Sequence, residues 1–308
     1  MFRPFLTLLI LLNAPFLQAQ SHSDGEAVRT ELLEKYQAVR GQLHDNDFGL
    51  PIVITSIDQD KLLQGEIIGI IEHNYSAARQ SLLQLPDWCD TLILHLNTKA
   101  CSYENDGQAK IHLYSGRKYY ETPVQATRLT MNFNIIAEHD DFLWLQLHAD
   151  KGPLGTRDYR IEFQAMPLIT PADQSSSATQ TLVRLTFSYR MNWLARKAMS
   201  LYLGTLARDK IGFTVIGTQY DQPVYIDGVQ GIIERNTVRY FLAVKTHLDA
   251  LAKGASMEQQ FSAWFNATER YHLQLHEVEK DEYLNAKQQE LHNQRLEQQR
   301  LDLKIGLN

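Results

Sequence analysis

RLTMNFNII, residues 128–136, decides how this chain reads. Leu129, Met131, Phe133 and Ile135 fall on one side of an extended backbone, and Arg128, Thr130, Asn132 and Asn134 on the other, because successive side chains of a strand point to opposite faces. The same period of two recurs downstream. FLWLQLH (142–148) sets Leu143, Leu145 and Leu147 against Phe142, Trp144, Gln146 and His148. DYRIEFQAM (158–166) sets Tyr159, Ile161, Phe163 and Ala165 against Arg160, Glu162 and Gln164, and TLVRLTFSYR (181–190) sets Val183, Leu185, Phe187 and Tyr189 against Arg184, Thr186, Ser188 and Arg190. Turn residues part the runs: His139-Asp140-Asp141, Lys151-Gly152-Pro153 and the polar loop PADQSSSATQ. This pattern predicts an antiparallel meander with one apolar face and one wet face.

The apolar face needs a cover. ERNTVRYFLAVKTHLDALAK (234–253) supplies one, with Val238, Phe241, Leu242, Leu248 and Leu251 at helical spacing and Asn236 or Thr237 as its cap. Ahead of the meander, EAVRTELLEKYQAVRGQL (26–43) is helical through Val28, Leu32, Leu33, Tyr36, Val39 and Leu43. GEIIGIIEH (65–73) is a strand, and NYSAARQSLLQL and PDWCDTLILHL are two short helical patterns broken at Pro86. LARKAMSLYLGTLA (194–207) reads as a helix, and IGFTVIG with QPVYIDG as a hairpin turning at Tyr220-Asp221-Gln222. Beyond Gly254 the chain lacks glycine and proline as far as Leu301. Phe261, Trp264, Phe265, Tyr271 and Leu275 can dock, whereas the later, Glu- and Gln-rich part is expected to project into solvent.

The ends and totals bound the compartment. MFRPFLTLLILLNAPFLQAQ carries Arg3, an apolar stretch and Leu17-Gln18-Ala19, which together predict a secretory signal peptide cleaved near Ala19. The mature chain has no apolar run long enough to cross a bilayer. A formal net charge of -6 gives no attraction to nucleic acid or anionic headgroups. In an oxidising compartment, Cys89 and Cys101 are most simply a disulfide. Their spacing is not that of a thioredoxin-type site, and no second cluster completes a metal set.

This order of elements resembles the START-like (SRPBCC, helix-grip) superfamily, an α+β fold in which a curved antiparallel sheet wraps a long C-terminal amphipathic helix around a pocket for an apolar ligand. GEIIGIIEHNYSAARQSLLQLPDW, the strands from 128 to 190 and the helix from Asn236 to about Lys253 carry the likeness. GPLGTRDYRIEFQAMP, KIGFTV and GIIERNTVRYFLAV also resemble uncharacterised exported proteins of Gram-negative bacteria. The residues predict a signal peptide at 1–19 and an N-terminal helical segment at 20–60; the resemblance implies a START-like domain at 61–254, from whose pattern an insertion at 194–229 and a helical extension at 255–308 depart.

Two readings of the apolar face stay open: packed core, or the wall of a pocket lined by Met131, Phe133, Leu145, Tyr159, Ile161, Phe163, Leu185, Phe187, Tyr189 and Phe241. Arg117, Arg157 and Arg160 are either paired in turns or placed at the pocket mouth, where a guanidinium fork suits a carboxylate or phosphate headgroup. His272 and His276 with Glu277 do not make HExxH, because the glutamate follows the second histidine. No GxSxG elbow and no phosphate-cradling glycine loop occurs. The expected function is periplasmic binding or transfer of a hydrophobic ligand, lipid or sterol-like, with no cofactor and no metal. The alternatives are an exported cyclase or hydrolase on the same scaffold, with His148 or Glu162 turned inward, and a scaffold that meets an envelope partner through its helical tail.

Overall fold

A computed structural model of the chain describes residues 14–46, 48–169, 179–193, 196, 197, 199, 201 and 210–306. The expected signal segment therefore lies largely outside the described residues, as does most of the helix expected at 194–207. The fold is α+β. Eight strands form one antiparallel sheet: β1 (Ile52–Gln59), β2 (Leu62–Ile71), β3 (Thr98–Asp106), β4 (Gln108–Ser115), β5 (Thr127–His139), β6 (Phe142–Lys151), β7 (Arg157–Leu168) and β8 (Gln180–Arg190), in the order β1-β2-β8-β7-β6-β5-β4-β3. The helices are α1 (Ala14–His44), α2 (Tyr75–Leu82), α3 (Leu85–Leu92), α4 (Gly228–Lys253), α5 (Met257–Glu269), α6 (His272–Leu275) and α7 (Lys280–Ile305). A hairpin of β9 (Val215–Gln219) and β10 (Gln222–Tyr225) stands apart from the sheet, turning through Tyr220 and Asp221 as expected.

The period-two strands pair in register, Leu147 with Ile161 and Ile161 with Phe187, so their apolar residues share the inner face. The central helix α4 lies on this face and comes closest at β2. A Cβ on Gly65 would stand 2.2 Å from Thr237 Oγ1, and one on Gly69 3.2 Å from Phe241, so both glycines are required by the approach of the helix. The helix begins at Gly228, two turns before the expected cap, and Thr237 donates to Ile233 O from mid-helix. Gly228 and Gly231 lower helix propensity and hide this start. Gly231 is needed because a Cβ there would meet Gly212 N and Ile226 O at 3.1 Å. Gly254 ends the helix at a left-handed φ of 63°, and Ser256 with Gln259 opens α5 with a capping box.

The outer face is not simply wet. Leu32 and Leu43 of α1 pack against Ile68, Ile70, Ala137, Phe142, Met166, Leu168 and Leu182, giving the sheet a second apolar layer. A register shift between Ile135 and Ala137 turns Ala137 to that layer and leaves Ile135 exposed, contrary to its expected place in the inner row. The sheet also starts earlier than the GEIIGIIEH strand, since β1 pairs residue by residue with β2 from Ile52.

The C-terminal chain is no free projection. It breaks at Tyr271, whose ring packs against Phe48 and Phe213 and whose hydroxyl donates to Phe48 O at 2.8 Å. It breaks again after His276, and α7 then runs along the edge strand β3. Gln294 Oε1 accepts from Cys101 N at 3.0 Å, and the Gln298 amide bridges Tyr103 N and O at 2.9 and 3.0 Å. Four helical residues rise ~6 Å and two strand residues ~6.6 Å, so glutamines four apart match edge groups two apart. The side chains of α7 thus satisfy an edge that would otherwise invite another strand. Cys89 of α3 and Cys101 of β3 form the expected disulfide at a Cα separation of 5.2 Å.

Candidate functional site

A groove of about 360 Å³ opens between α2 and the C-terminal half of α4. Ala77, Ala78, Leu248, Leu251 and Ala252 line it together with the polar residues His73, Gln80, Ser81, Gln84 and Asp87. His73 is fixed by Asp249 Oδ1 at 2.7 Å, whose other oxygen accepts from Lys245 at 2.7 Å. Burial pushes the Asp249 carboxyl up, but Lys245 and His73 outweigh it and hold it below the usual range.

A narrower gap shares Ser81, Asp87 and Leu248 with the groove and is bounded further in by Leu82, Trp88, Thr91, Val244 and His247. It is too narrow to hold water. Trp88 closes its inner end: the indole donates to Leu82 O at 2.7 Å, and the ring meets Phe133 and Phe163 edge-on at 6.4 Å. His247 is buried, bonded to Gln260 through Nδ1 at 3.0 Å with Nε2 3.8 Å from Asp87. Burial raises the neighbouring Asp90 carboxyl. The groove therefore stops short of the inner face, with Trp88 between them.

Met131, Phe133, Leu145, Tyr159, Ile161, Phe163, Leu185, Phe187, Tyr189 and Phe241, the residues expected to line a pocket, lie buried in one cluster on that inner face, and none of them lines the groove or the narrower gap. Helix side chains fill the space beside them. Tyr240 of α4 sets its hydroxyl 3.1 Å from that of Tyr159 and its ring edge-on to Phe187, while His95 stacks on Tyr240 at 4.9 Å. Burial, then Arg239 and Lys287, push the His95 imidazole well below its ordinary value, so it is neutral.

The three expected anchor arginines are not brought to this groove. Arg160 pairs in register with His148 and Ser188 on the opposite sheet face and is held by Asp158 at 2.7 Å. Arg157 is exposed at the start of β7, after a tight turn in which Leu154 and Gly155 take positive φ. Arg117 lies 80 % exposed against Glu121 in the loop after β4. His148 and Glu162 also face outward, bonded to Asp158 and Gln146.

Other cations gather inside. Arg235 and Arg239 of α4, with Lys210 and Lys118, converge on the single carboxylate of Glu277 at 2.6, 3.4, 2.5 and 3.6 Å. Burial alone would raise Glu277, but Arg239, Lys210 and Arg235 hold it down to about 2. Burial lowers Arg239 to about 10 despite that partner. Glu234 does not join this group; it accepts from Ser56, Phe213 N and both donors of Thr214, tying the insertion to α4. A second buried set, Lys99, Lys287 and Glu290, anchors α7, and burial brings Lys287 down to about 8.

No family model matches the chain, and no curated protein matches it. Among solved structures, it is similar to a conserved protein of unknown function from Enterococcus faecalis, at a TM-score of 0.31 and 10% identity over 71% of this chain and 91% of that one. It is also similar to human StAR-related lipid transfer protein 5, at a TM-score of 0.29 and 10% identity over 62% and 92% of the two chains. At these TM-scores the likeness carries no functional inference.

The groove residues are the ones that sequence reasoning missed. Leu248 and Leu251 were placed on the buried stripe of α4, and neither His73 nor Ala77 was singled out.

Proposed function

We propose that the protein binds a hydrophobic ligand that enters through the groove between α2 and α4, with its polar end at His73 and Asp87. The observation that supports this reading is the lining shared by groove and narrower gap, Ser81, Asp87 and Leu248, which brings the groove up to Trp88 at the edge of the apolar core. Burying ~200 Å² of ligand surface would contribute about 5 kcal/mol at 25 cal/mol per Å², before the costs of association. Entry requires Trp88, Leu82 or His247 to shift, because the inner gap is closed to water. The leader-like N-terminus supports a periplasmic setting within the same proposal, with carriage or buffering of a lipid or sterol-like molecule as the role. The two alternatives lose their specific support: His148 and Glu162 face away from the interior, and α7 spends its inward face on β3.

Titration with N-phenyl-1-naphthylamine, a neutral fluorescent apolar probe, tests the groove. Ala77 is exposed on α2, so Ala77→Trp fills the groove without entering the core. The variant should fold and lose at least about tenfold in probe affinity, equivalent to ~1.4 kcal/mol. Unchanged affinity in a folded variant would refute the assignment of the groove.

A further inference from the structure

We propose that Glu269, His272 and His276 form a binding site for a borderline divalent transition-metal ion, for which Zn²⁺ is the probe. The three residues offer one donor atom each, and these atoms lie within 4.8 Å of one another. Both imidazoles turn Nδ1 to the Glu269 carboxylate, at 2.9 Å from His272 and 3.1 Å from His276. Their rings stack at 4.2 Å. Zinc bonds of ~2.0–2.1 Å in tetrahedral array set donors about 3.3 Å apart. The two separations from Glu269 are a few tenths of an ångström short of that, and the donor atoms of the two histidines lie within 4.8 Å of each other.

The chain bend holds the site. Glu269 is the last residue of α5, His272 the first of α6 and His276 the residue that follows α6. Tyr271, fixed by Phe48 and Phe213, sets the angle between the two helices and hence the approach of Glu269 to the histidines. Glu277, the carboxylate next to His276 in sequence, is committed to Arg235, Lys210 and Arg239 and faces another group. The third donor comes instead from three residues before His272.

The donor set selects the class of ion. Two imidazoles and one carboxylate suit Zn²⁺ and its neighbours, whereas Mg²⁺ and Ca²⁺ prefer oxygen donors alone. Three protein donors leave a position for water or an incoming ligand atom. The site is partly open, with side-chain exposures of 69 % for His272, 31 % for His276 and 25 % for Glu269.

The test uses the untagged full chain, stripped with EDTA, then titrated calorimetrically with ZnCl₂ and by visible absorption with CoCl₂. One ion per chain should bind with a Kd on the order of 1 μM or tighter, and excess Mg²⁺ should not compete. His276→Gln should weaken binding by more than the 10–100-fold typical of an outer-sphere change. His292→Gln, at an exposed position on α7, should leave binding unchanged. Because His272 is mostly exposed, His272→Gln should retain the wild-type melting temperature and still lose the ion. No stoichiometric Zn²⁺ binding, or binding that survives the His272→Gln/His276→Gln double variant, would overturn the assignment.

Discussion

Gln294 on α7 accepts the backbone N–H of Cys101 on β3 at 3.0 Å, and so a helix side chain occupies the place of a ninth strand. The amide is buried, and removing its acceptor leaves it without a partner. Gln294→Ala should cost about 1–3 kcal/mol, read from urea unfolding, and should speed hydrogen exchange at Cys101. An unchanged midpoint would mean that water or another group replaces the glutamine.

Truncation tests the same contact on a larger scale. A chain ending at residue 284 lacks Lys287, Glu290, Gln294 and Gln298, so Lys99 loses its carboxylate and β3 becomes an open sheet edge. The truncated chain should aggregate or unfold, and a soluble, cooperatively melting product would contradict the role given to α7.

Acid should act through Glu277. Its carboxyl is held at about 2 in the fold against an ordinary 4.5, so its contribution to stability is complete above about pH 4.5 and is lost as pH falls toward 2. Glu277→Gln should cost about 3 kcal/mol near neutrality, because Arg235 and Arg239 lose their partner inside the fold. It should also flatten the unfolding free energy across that acid window relative to wild type. Parallel pH profiles for the two proteins would contradict this.

Gly65 should tolerate no side chain while Thr237 faces it. Gly65→Ala sets a methyl 2.2 Å from Thr237 Oγ1 and should cost about 1–3 kcal/mol by overpacking. Adding Thr237→Ala should recover part of that loss, and a double-mutant cycle with no coupling would show that α4 simply moves away.

Much of this fold was legible because its central strands alternate. β5 to β8 were readable from Leu129 to Tyr189, and α1 from its stripe of Val28, Leu32, Tyr36 and Leu43. β3 was not, because it is buried from Thr98 to Ser102 by α3 on one side and α7 at its edge, and a run buried all round has no period. α7 was misjudged for the complementary reason. Its inward residues are Lys287, Glu290, Gln294 and Gln298, and hydropathy cannot tell a polar side chain bonded to a sheet edge from one in water. The inner apolar cluster was legible residue by residue, whereas the groove beside it depends on how far α2 stands from α4, a distance no sequence period encodes.

The most direct measurement is native mass spectrometry of the full chain purified without detergent, followed by organic extraction of the bound material and repetition with Ala77→Trp. The hydrophobic-ligand account predicts a stoichiometric apolar molecule on the wild-type chain that is depleted on the variant. A bare wild-type mass, together with no saturable binding of N-phenyl-1-naphthylamine, would contradict it.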